Sequence, residues 1–326
     1  MTKNIILSGM RPTGRLHIGH FVGALENWIK LQNEYQNYHL IADYHVLTTS
    51  LNTKNIYQDS LDMLIDWIAA GIDPEKSPMF RQSQIKEHTE LQLIFAMLVT
   101  VNRLERNPTL KDQVRDLSIE NVIYGHLGYP VLQAADILLY KGNYVPVGED
   151  QVPHVEITRE IARKFNNAFG EVFPECEPLL TKSPRLIGLD GNSKMSKSLG
   201  NTILLSDSPE EITLKLRKAV TDTQKQRKGD PGRPEVCVVF SYHKHFNTDE
   251  APAIDSDCRE GKLGCVDCKL KCAAKISEFL SPVYNRRKEL ENKTNYLIET
   301  LINGEQRARE KAVETMKEVR SVMQIG

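Results

Sequence analysis

The apolar positions in the first half of the chain alternate between two spacings. Asn4 to Ser8 contains the short continuous run of a buried strand. Ile18, Phe21, Val22, Leu25, Trp28 and Ile29 then recur at the three- and four-residue spacing of one helix face. The alternation repeats. Tyr38 to Ala42 predicts a second strand, and Ile56 to Ala70 a helix with Leu61, Leu64, Trp67 and Ile68 on one side. Pro78 to Arg81 predicts a third strand, Glu87 to Val101 an apolar helix, Asn143 to Val147 a further strand and Gln151 to Phe165 another helix. Strands separated by helices predict an α/β architecture, a doubly wound parallel sheet covered on both faces.

Beyond Pro209 the pattern is helical, except for a strand-like run at Val236 to Tyr242. Two long helices are predicted to close the chain, Cys272 through Val283 toward Leu301, and Glu305 to Met323. The pattern changes around Gly200 to Pro209. That change predicts an α/β domain over 1–205, with a helical insertion near 85–125, and an all-helical domain over 206–326. A length of 326 residues suits two domains. The longest apolar stretch, Leu93 to Val99, is far short of the roughly 20 residues of a membrane span, so no membrane partner is expected. The only apolar run before Ser8 is Ile5 to Leu7, too short for a secretory leader, and a cytoplasmic location is expected.

Charge changes the picture only locally. The 42 Lys and Arg nearly balance the 43 Asp and Glu, which gives no global attraction to nucleic acid. Between Leu214 and Arg233, however, Lys215, Arg217, Lys218, Lys225, Arg227, Lys228 and Arg233 face only Asp222 and Asp230. This is either a solvated surface or a patch for phosphates.

Two segments have the composition of phosphate-binding loops. Ser8 to His20 spans the first strand-to-helix turn, where open parallel sheets carry ligands, and Gly9, Gly14 and Gly19 permit close approach to the backbone. His17 and His20, three apart, can share a helix face and donate to a phosphoryl group. Asp190 to Ser198 is a small polar loop with Lys194 and Lys197 three apart, suited to placing ammonium groups on a leaving pyrophosphate.

His17-Ile18-Gly19-His20 followed by Lys194-Met195-Ser196-Lys197-Ser198 resembles the signature pair of class I aminoacyl-tRNA synthetases. Ala42-Asp43-Tyr44-His45, the run Tyr129 to Tyr140, Val145 to Gln151 and Glu156 to Ala162 narrow the resemblance to the bacterial tryptophanyl-tRNA synthetase family. The resemblance implies a Rossmann-like catalytic domain, a helical anticodon-binding domain, ATP as substrate with Mg²⁺, L-tryptophan and tRNA(Trp) as partners, and a homodimer. By similarity, Arg11, Pro12, Thr13, His17, Gly19, His20, Gly148, Glu149, Asp150, Leu186, Met195, Ser196 and Ser198 would surround the nucleotide. Lys111, Lys194 and Lys197 would act on its phosphates as the catalytic lysines. Asp136 would accept the indole N–H, and Tyr129 and Gln151 would grip the α-ammonium. Leu7, Gly9, His45, Gln133, Val145 and Val147 would form the slot for the ring. The stretch Leu132-Gln133-Ala134-Ala135-Asp136 also resembles tyrosyl enzymes, the nearest alternative.

Five of the six cysteines lie between Cys237 and Cys272. Cys237, Cys258, Cys265 and Cys268 contain one Cys-x2-Cys pair and supply four thiolates, enough for a tetrahedral zinc or a [4Fe–4S] cluster. Some bacterial tryptophanyl-tRNA synthetases carry a similar motif that binds [4Fe–4S], so the resemblance implies the cluster, with zinc as the alternative. A non-catalytic iron–sulfur RNA-binding paralogue is a second alternative, but its phosphate motifs would have decayed. Cys272 fits no place in the motif and is expected to be spare, with Cys272 in place of Cys268 the alternative fourth ligand, and Cys176 is expected to be a structural or surface thiol. Lys262, Lys269, Lys271, Arg286 and Arg287, close to the motif in sequence, are candidates for RNA phosphate contacts.

Overall fold

A computed structural model describes residues 3–116, 119–180, 186–191 and 195–326. Among them run five parallel strands, β1 (Ile5–Met10), β2 (Gln36–Ile41), β3 (Met79–Arg81), β4 (Tyr144–Val147) and β5 (Glu177–Leu180), in the order β3-β2-β1-β4-β5. The expected parallel α/β sheet is present. β1 and β2 pair along their full length, from Ile5↔Gln36 to Met10↔Ile41. β1 and β4 pair only at Ile6↔Tyr144. The strand order reverses between these two, and in doubly wound sheets the crevice beyond that reversal is where ligands bind. β5 carries no apolar run and was not predicted; it is recruited by pairing with β4 from Tyr144↔Glu177 to Val147↔Leu180.

The chain forms two compact units. The first comprises the described residues up to Gly14, from Glu26 to Leu180 and from Lys293 to Gly326. The second comprises Arg15 to Leu25 and the described residues from Leu186 to Asn292. The division expected at residue 205 is therefore drawn elsewhere. The closing helix Thr294–Met323 belongs with the sheet, not with the helices before it. Arg81 binds Glu305 at 2.6 Å, Arg320 binds Glu90 at 2.5 Å and Lys141 binds Glu318 at 2.6 Å. Beneath these ion pairs Ala308, Ala312, Met316 and Val319 join the core built on β1, β2 and helix Tyr124–Leu139. Apolar burial supplies most of that attachment, and of the ion pairs only Arg81–Glu305 is largely shielded from solvent.

Three sequence expectations shift. The predicted helix from Ile18 to Ile29 is interrupted: Ile18–His20 and Glu26–Leu31 flank a wider turn of π type at Phe21–Leu25. The strand predicted at Val236 to Tyr242 is instead the start of helix Val238–Phe246. A run of Val-Val-Phe has the right composition for a strand, but it finds no strand partner and buries Val238, Val239, Phe240 and Tyr242 within its own unit. The break between the two long helices falls at Asn292 and Lys293, not near Asn303, so they are Cys265–Glu291 and Thr294–Met323.

Gly304 explains why the second helix runs through the predicted break. The helix packs its backbone against β3, and a Cβ at Gly304 would lie 2.0 Å from the Met79 carbonyl oxygen. In an exposed helix Gly→Ala stabilises by about 1 kcal/mol. Here the sign is predicted to invert. Gly304→Ala should lower stability by about 1–3 kcal/mol, the usual range for overpacking, read as a drop in the urea midpoint. An unchanged or higher midpoint would contradict the packing described.

Candidate active site

In the first unit the residues expected around an aromatic ring lie mainly on one face of the sheet and one face of helix Tyr124–Leu139. Ile6 pairs with Tyr144, so Leu7 and Gly9 on β1 fall on the same sheet face as Val145 and Val147 on β4. Leu7 and Val145 are buried. Gly9 is required sterically, because a Cβ there would stand 2.7 Å from the Leu40 carbonyl oxygen of the neighbouring strand. Tyr129, Gln133 and Asp136 occupy helix Tyr124–Leu139 at four- and three-residue spacing and therefore share one of its faces.

Asp136 is 2% exposed and holds three donors. His45 Nε2 donates to Oδ2 at 2.9 Å. Gln82 Nε2 and His88 Nδ1 donate to Oδ1 at 2.7 and 2.6 Å. Burial pushes the carboxyl pKa up, but His88 and His45 outweigh it and hold it at about 2, so the group is ionised at neutral pH. The sequence pointed to Asp136 and His45 only. Gln82 and His88 lie beyond the end of β3, and the only available signal was that strand ends in parallel sheets carry ligands.

Tyr129 is set by a second relay. Asn107 Nδ2 donates to His154 Nδ1 at 2.9 Å, leaving Nε2 to donate to the Tyr129 hydroxyl oxygen at 2.7 Å. Burial drives the His154 pKa down to about 4, so its ring is neutral at pH 7, and burial also raises the Tyr129 pKa. Tyr129 is thereby a neutral hydroxyl with one lone pair still open to a donor. Neither Asn107 nor His154 was predicted. The same Asn107 accepts from the Thr109 N–H at 3.0 Å, and Thr109 Oγ1 donates to the Asp150 carbonyl at 2.8 Å. This ties the segment carrying exposed Lys111 to the turn of Gly148, Glu149, Asp150 and Gln151. Gln151 donates to the Asp150 carboxylate at 3.0 Å. Arg11 donates to Thr49 Oγ1, and Pro12 is buried while Thr13 is exposed.

In the second unit the two signature segments come together. The Ile18 N–H donates to the Ile203 carbonyl at 2.8 Å, the Leu205 N–H to the Leu16 carbonyl at 2.9 Å, and His17 bridges Leu204. The His17 and His20 rings stack 3.7 Å apart, and the His17 N–H donates to His20 Nδ1 at 3.3 Å. Gly19 fits between the His17 ring and Met195, since a Cβ there would meet them at 3.0 and 3.4 Å. Met195 and Leu186 are buried, and the Ser196 N–H donates to Asn201 at 2.7 Å. Asn201 in turn donates to Asp190 at 3.0 Å. Lys197 opens the short turn Lys197–Leu199. Lys194 and the Ser198 side chain lie outside the described residues.

Also in the second unit, Cys237, Cys258, Cys265 and Cys268 line one small cavity with Phe240, Ile254 and Leu263. All four are free thiols. Among the described residues no group of three or more His, Cys, Asp or Glu side chains is set to hold a single metal ion. Cys272 is buried away from that cavity, its thiol turned to the Val239 carbonyl, and Cys176 is buried in the first unit. The seven-cation segment separates on folding. Lys215 pairs with Asp207, Arg233 with Asp222, and Lys225 is buried against the Cys258 carbonyl, while Arg217, Lys218, Arg227 and Lys228 are exposed. Arg287, expected at the surface, is 0% exposed and cannot meet RNA; Arg286 beside it is exposed.

Comparison with known proteins gives a consistent result. Residues 1–281 match the family described as tRNA synthetases class I (W and Y). The chain is 46% identical to a tryptophan–tRNA ligase of Thermotoga maritima and 44% identical to one of Aquifex aeolicus, in each case over 98% of this chain and 99% of the relative. A solved tryptophanyl-tRNA synthetase of Campylobacter jejuni, complexed with ADP and tryptophan, superposes with a TM-score of 0.88 at 33% identity, over 98% of this chain and 99% of that one.

Burial of neutral histidines makes stability depend on pH. The His154 pKa is about 4 and the His39 pKa about 3 in the folded state, against 6.5. Both sit below the unfolded value, so the unfolded chain takes up protons first as the pH falls. Their stabilisation is complete above pH 6.5 and is lost toward pH 4 and below, up to about 3 kcal/mol for His154 at 1.36 kcal/mol per pH unit. Urea midpoints should fall between pH 6.5 and 4, and His154→Gln should flatten that slope. The same slope in the variant would contradict the assignment.

Proposed function

The chain belongs to the class I tRNA synthetases of the tryptophan and tyrosine family, and from that premise we propose how its residues divide the work. Its activity is that of a tryptophan–tRNA ligase: ATP activates L-tryptophan to tryptophanyl-adenylate, and the acyl group passes to tRNA. The observation that carries this reading is full-length similarity to tryptophan–tRNA ligases at 44–46% identity. The chemistry is in-line attack of the amino-acid carboxylate on the α-phosphate. It needs position and charge and no enzyme nucleophile.

Asp136, ionised in the core, is the acceptor that tests for an indole N–H, the one polar atom of the tryptophan side chain. Leu7, Gly9, His45, Gln133, Val145 and Val147 form the slot for the ring. Tyr129, with its open lone pair, and Gln151 receive the α-ammonium. Arg11, Pro12, Thr13, Gly148, Glu149, Asp150 and Leu186 take the base and ribose side of ATP. His17, Gly19, His20, Met195, Ser196 and Ser198 take the phosphate side. Lys111, Lys194 and Lys197 stabilise the charge that builds on the leaving pyrophosphate. Mg²⁺ bound to the triphosphate would offset part of that charge.

Cys237, Cys258, Cys265 and Cys268 are the ligand set for a [4Fe–4S] cluster. The four thiols share one apolar-walled cavity, and the single Cys-x2-Cys pair with two further thiols suits the cluster, with zinc as the alternative. A bound cluster would cross-link the start of helix Cys265–Glu291 to Cys237 and Cys258. Its distance in sequence from the phosphate-binding segments assigns it to the tRNA-binding part of the chain, where Arg217, Lys218, Arg227, Lys228 and Arg286 meet RNA phosphates. Leu93, Met97 and Val101, 58, 75 and 55% exposed around the turn between two helices, are the apolar surface assigned to a homodimer contact. No helix among the described residues is long and apolar enough to cross a membrane, and the cytoplasm is the proposed site of action.

Two measurements test these readings. ATP–pyrophosphate exchange should depend on tryptophan and not on tyrosine, and Asp136→Asn should lower kcat/KM for tryptophan by roughly 10- to 100-fold. Tyrosine-dependent exchange would overturn the assignment of Asp136. Protein purified without air should contain iron and absorb visible light. Cys265→Ser should lose both while keeping tryptophan activation; zinc in place of iron would replace the cluster reading.

A further inference from the structure

Around Asp136 stands a layer of buried side chains with no assigned role. A carboxylate offers about four acceptor positions. On Asp136 three are taken, two on Oδ1 by Gln82 and His88 and one on Oδ2 by His45. Oδ1 is therefore saturated, and the remaining position is on Oδ2.

Each donor on Oδ1 is itself fixed. Gln82 is 0% exposed. Its amide must turn Nε2–H toward the ionised carboxylate, because the opposite orientation would set two oxygens against each other. That leaves Oε1 buried without a partner in the protein, a cost of about 1–3 kcal/mol that a merely structural glutamine would avoid. His88 is also 0% exposed, with Nε2 held 2.9 Å from the hydroxyl of Tyr140, another fully buried side chain. The Tyr140 ring stacks on Tyr38 at 4.9 Å, so the relay from Tyr140 through His88 to Asp136 is anchored in the core below the sheet face that carries Leu7 and Val145.

We propose that Gln82, His88 and Tyr140 are positioning residues that determine the choice of tryptophan. By saturating Oδ1 of Asp136 they leave Oδ2 as the one place where an indole N–H can be received. The proposal rests on the reading of Asp136 as the indole acceptor. It places specificity in three side chains that act through Asp136.

The test compares activation of L-tryptophan with that of benzothienyl-L-alanine, in which sulfur replaces the indole N–H and the ring is otherwise alike. The ratio of their kcat/KM values isolates the hydrogen bond to Asp136, and it should be roughly 10- to 100-fold for the unaltered enzyme. Asp136→Asn provides the baseline at which that preference has collapsed. Gln82→Met and His88→Leu should bring the ratio most of the way to the baseline, and Tyr140→Phe should reduce it several-fold. His88→Asn, which keeps a donor in the place of Nδ1, should restore most of it. A role in folding alone would lower both substrates together and leave the ratio intact; that result in Gln82→Met and Tyr140→Phe would overturn the proposal. If Asp136→Asn itself leaves the ratio unchanged, the indole-acceptor reading fails, and the proposal fails with it.

Discussion

A carboxylate kept ionised inside an apolar core is the constraint on which the first unit is organised. An isolated charge there would be neutralised or expelled, since burial alone raises the pKa of Asp136. Three donors reverse that shift, and each comes from a different part of the sequence: His45 after β2, Gln82 after β3 and His88 in the helix that follows. Their convergence requires the sheet order to be right, because only then do the ends of β2 and β3 face helix Tyr124–Leu139. The same logic governs Tyr129, held by His154 in a further helix and Asn107 in the turn before another. The groups that hold Asp136 thus come from the turns and helix that follow the strands, while β1 and β4 supply the apolar face beside them.

The closing helix is part of this support. Its attachment buries Ala308, Ala312 and Met316 against the same core that holds Tyr140, and Gly304 lets its backbone approach β3. A chain that folds its last segment back on its first sheet need not divide into consecutive domains. In the second unit, the His17 segment and the Met195 segment are joined by backbone hydrogen bonds through Ile203 and Leu205. Residues about 180 apart in sequence thereby act as one local structure.

Charge shows how folding edits a sequence pattern. Seven cations between Leu214 and Arg233 read as one basic run, yet Lys215, Lys225 and Arg233 are spent on Asp207, backbone carbonyls and Asp222. What remains for a partner is the exposed set of Arg217, Lys218 and Arg227, with Lys228 exposed but paired to Asp267 at 3.8 Å. Arg287 shows the opposite error, a charge assigned to the surface that lies in the core.

The sequence alone determined the parallel α/β fold, four of the five strands, the two class I signature segments and the grouping of four cysteines. Those features are written in local periodicity and in ordered motifs, which survive any arrangement of the rest. It did not determine β5, whose Glu-Pro-Leu-Leu is a strand only because β4 offers it an edge. Nor did it determine the helix at Val238, where burial overrode β-propensity, or the placement of the closing helix. Gln82, His88, Asn107 and His154 were silent for the same reason. A polar residue has no periodicity that marks it as buried; its role is decided by which charge or hydroxyl the tertiary structure brings within hydrogen-bond reach.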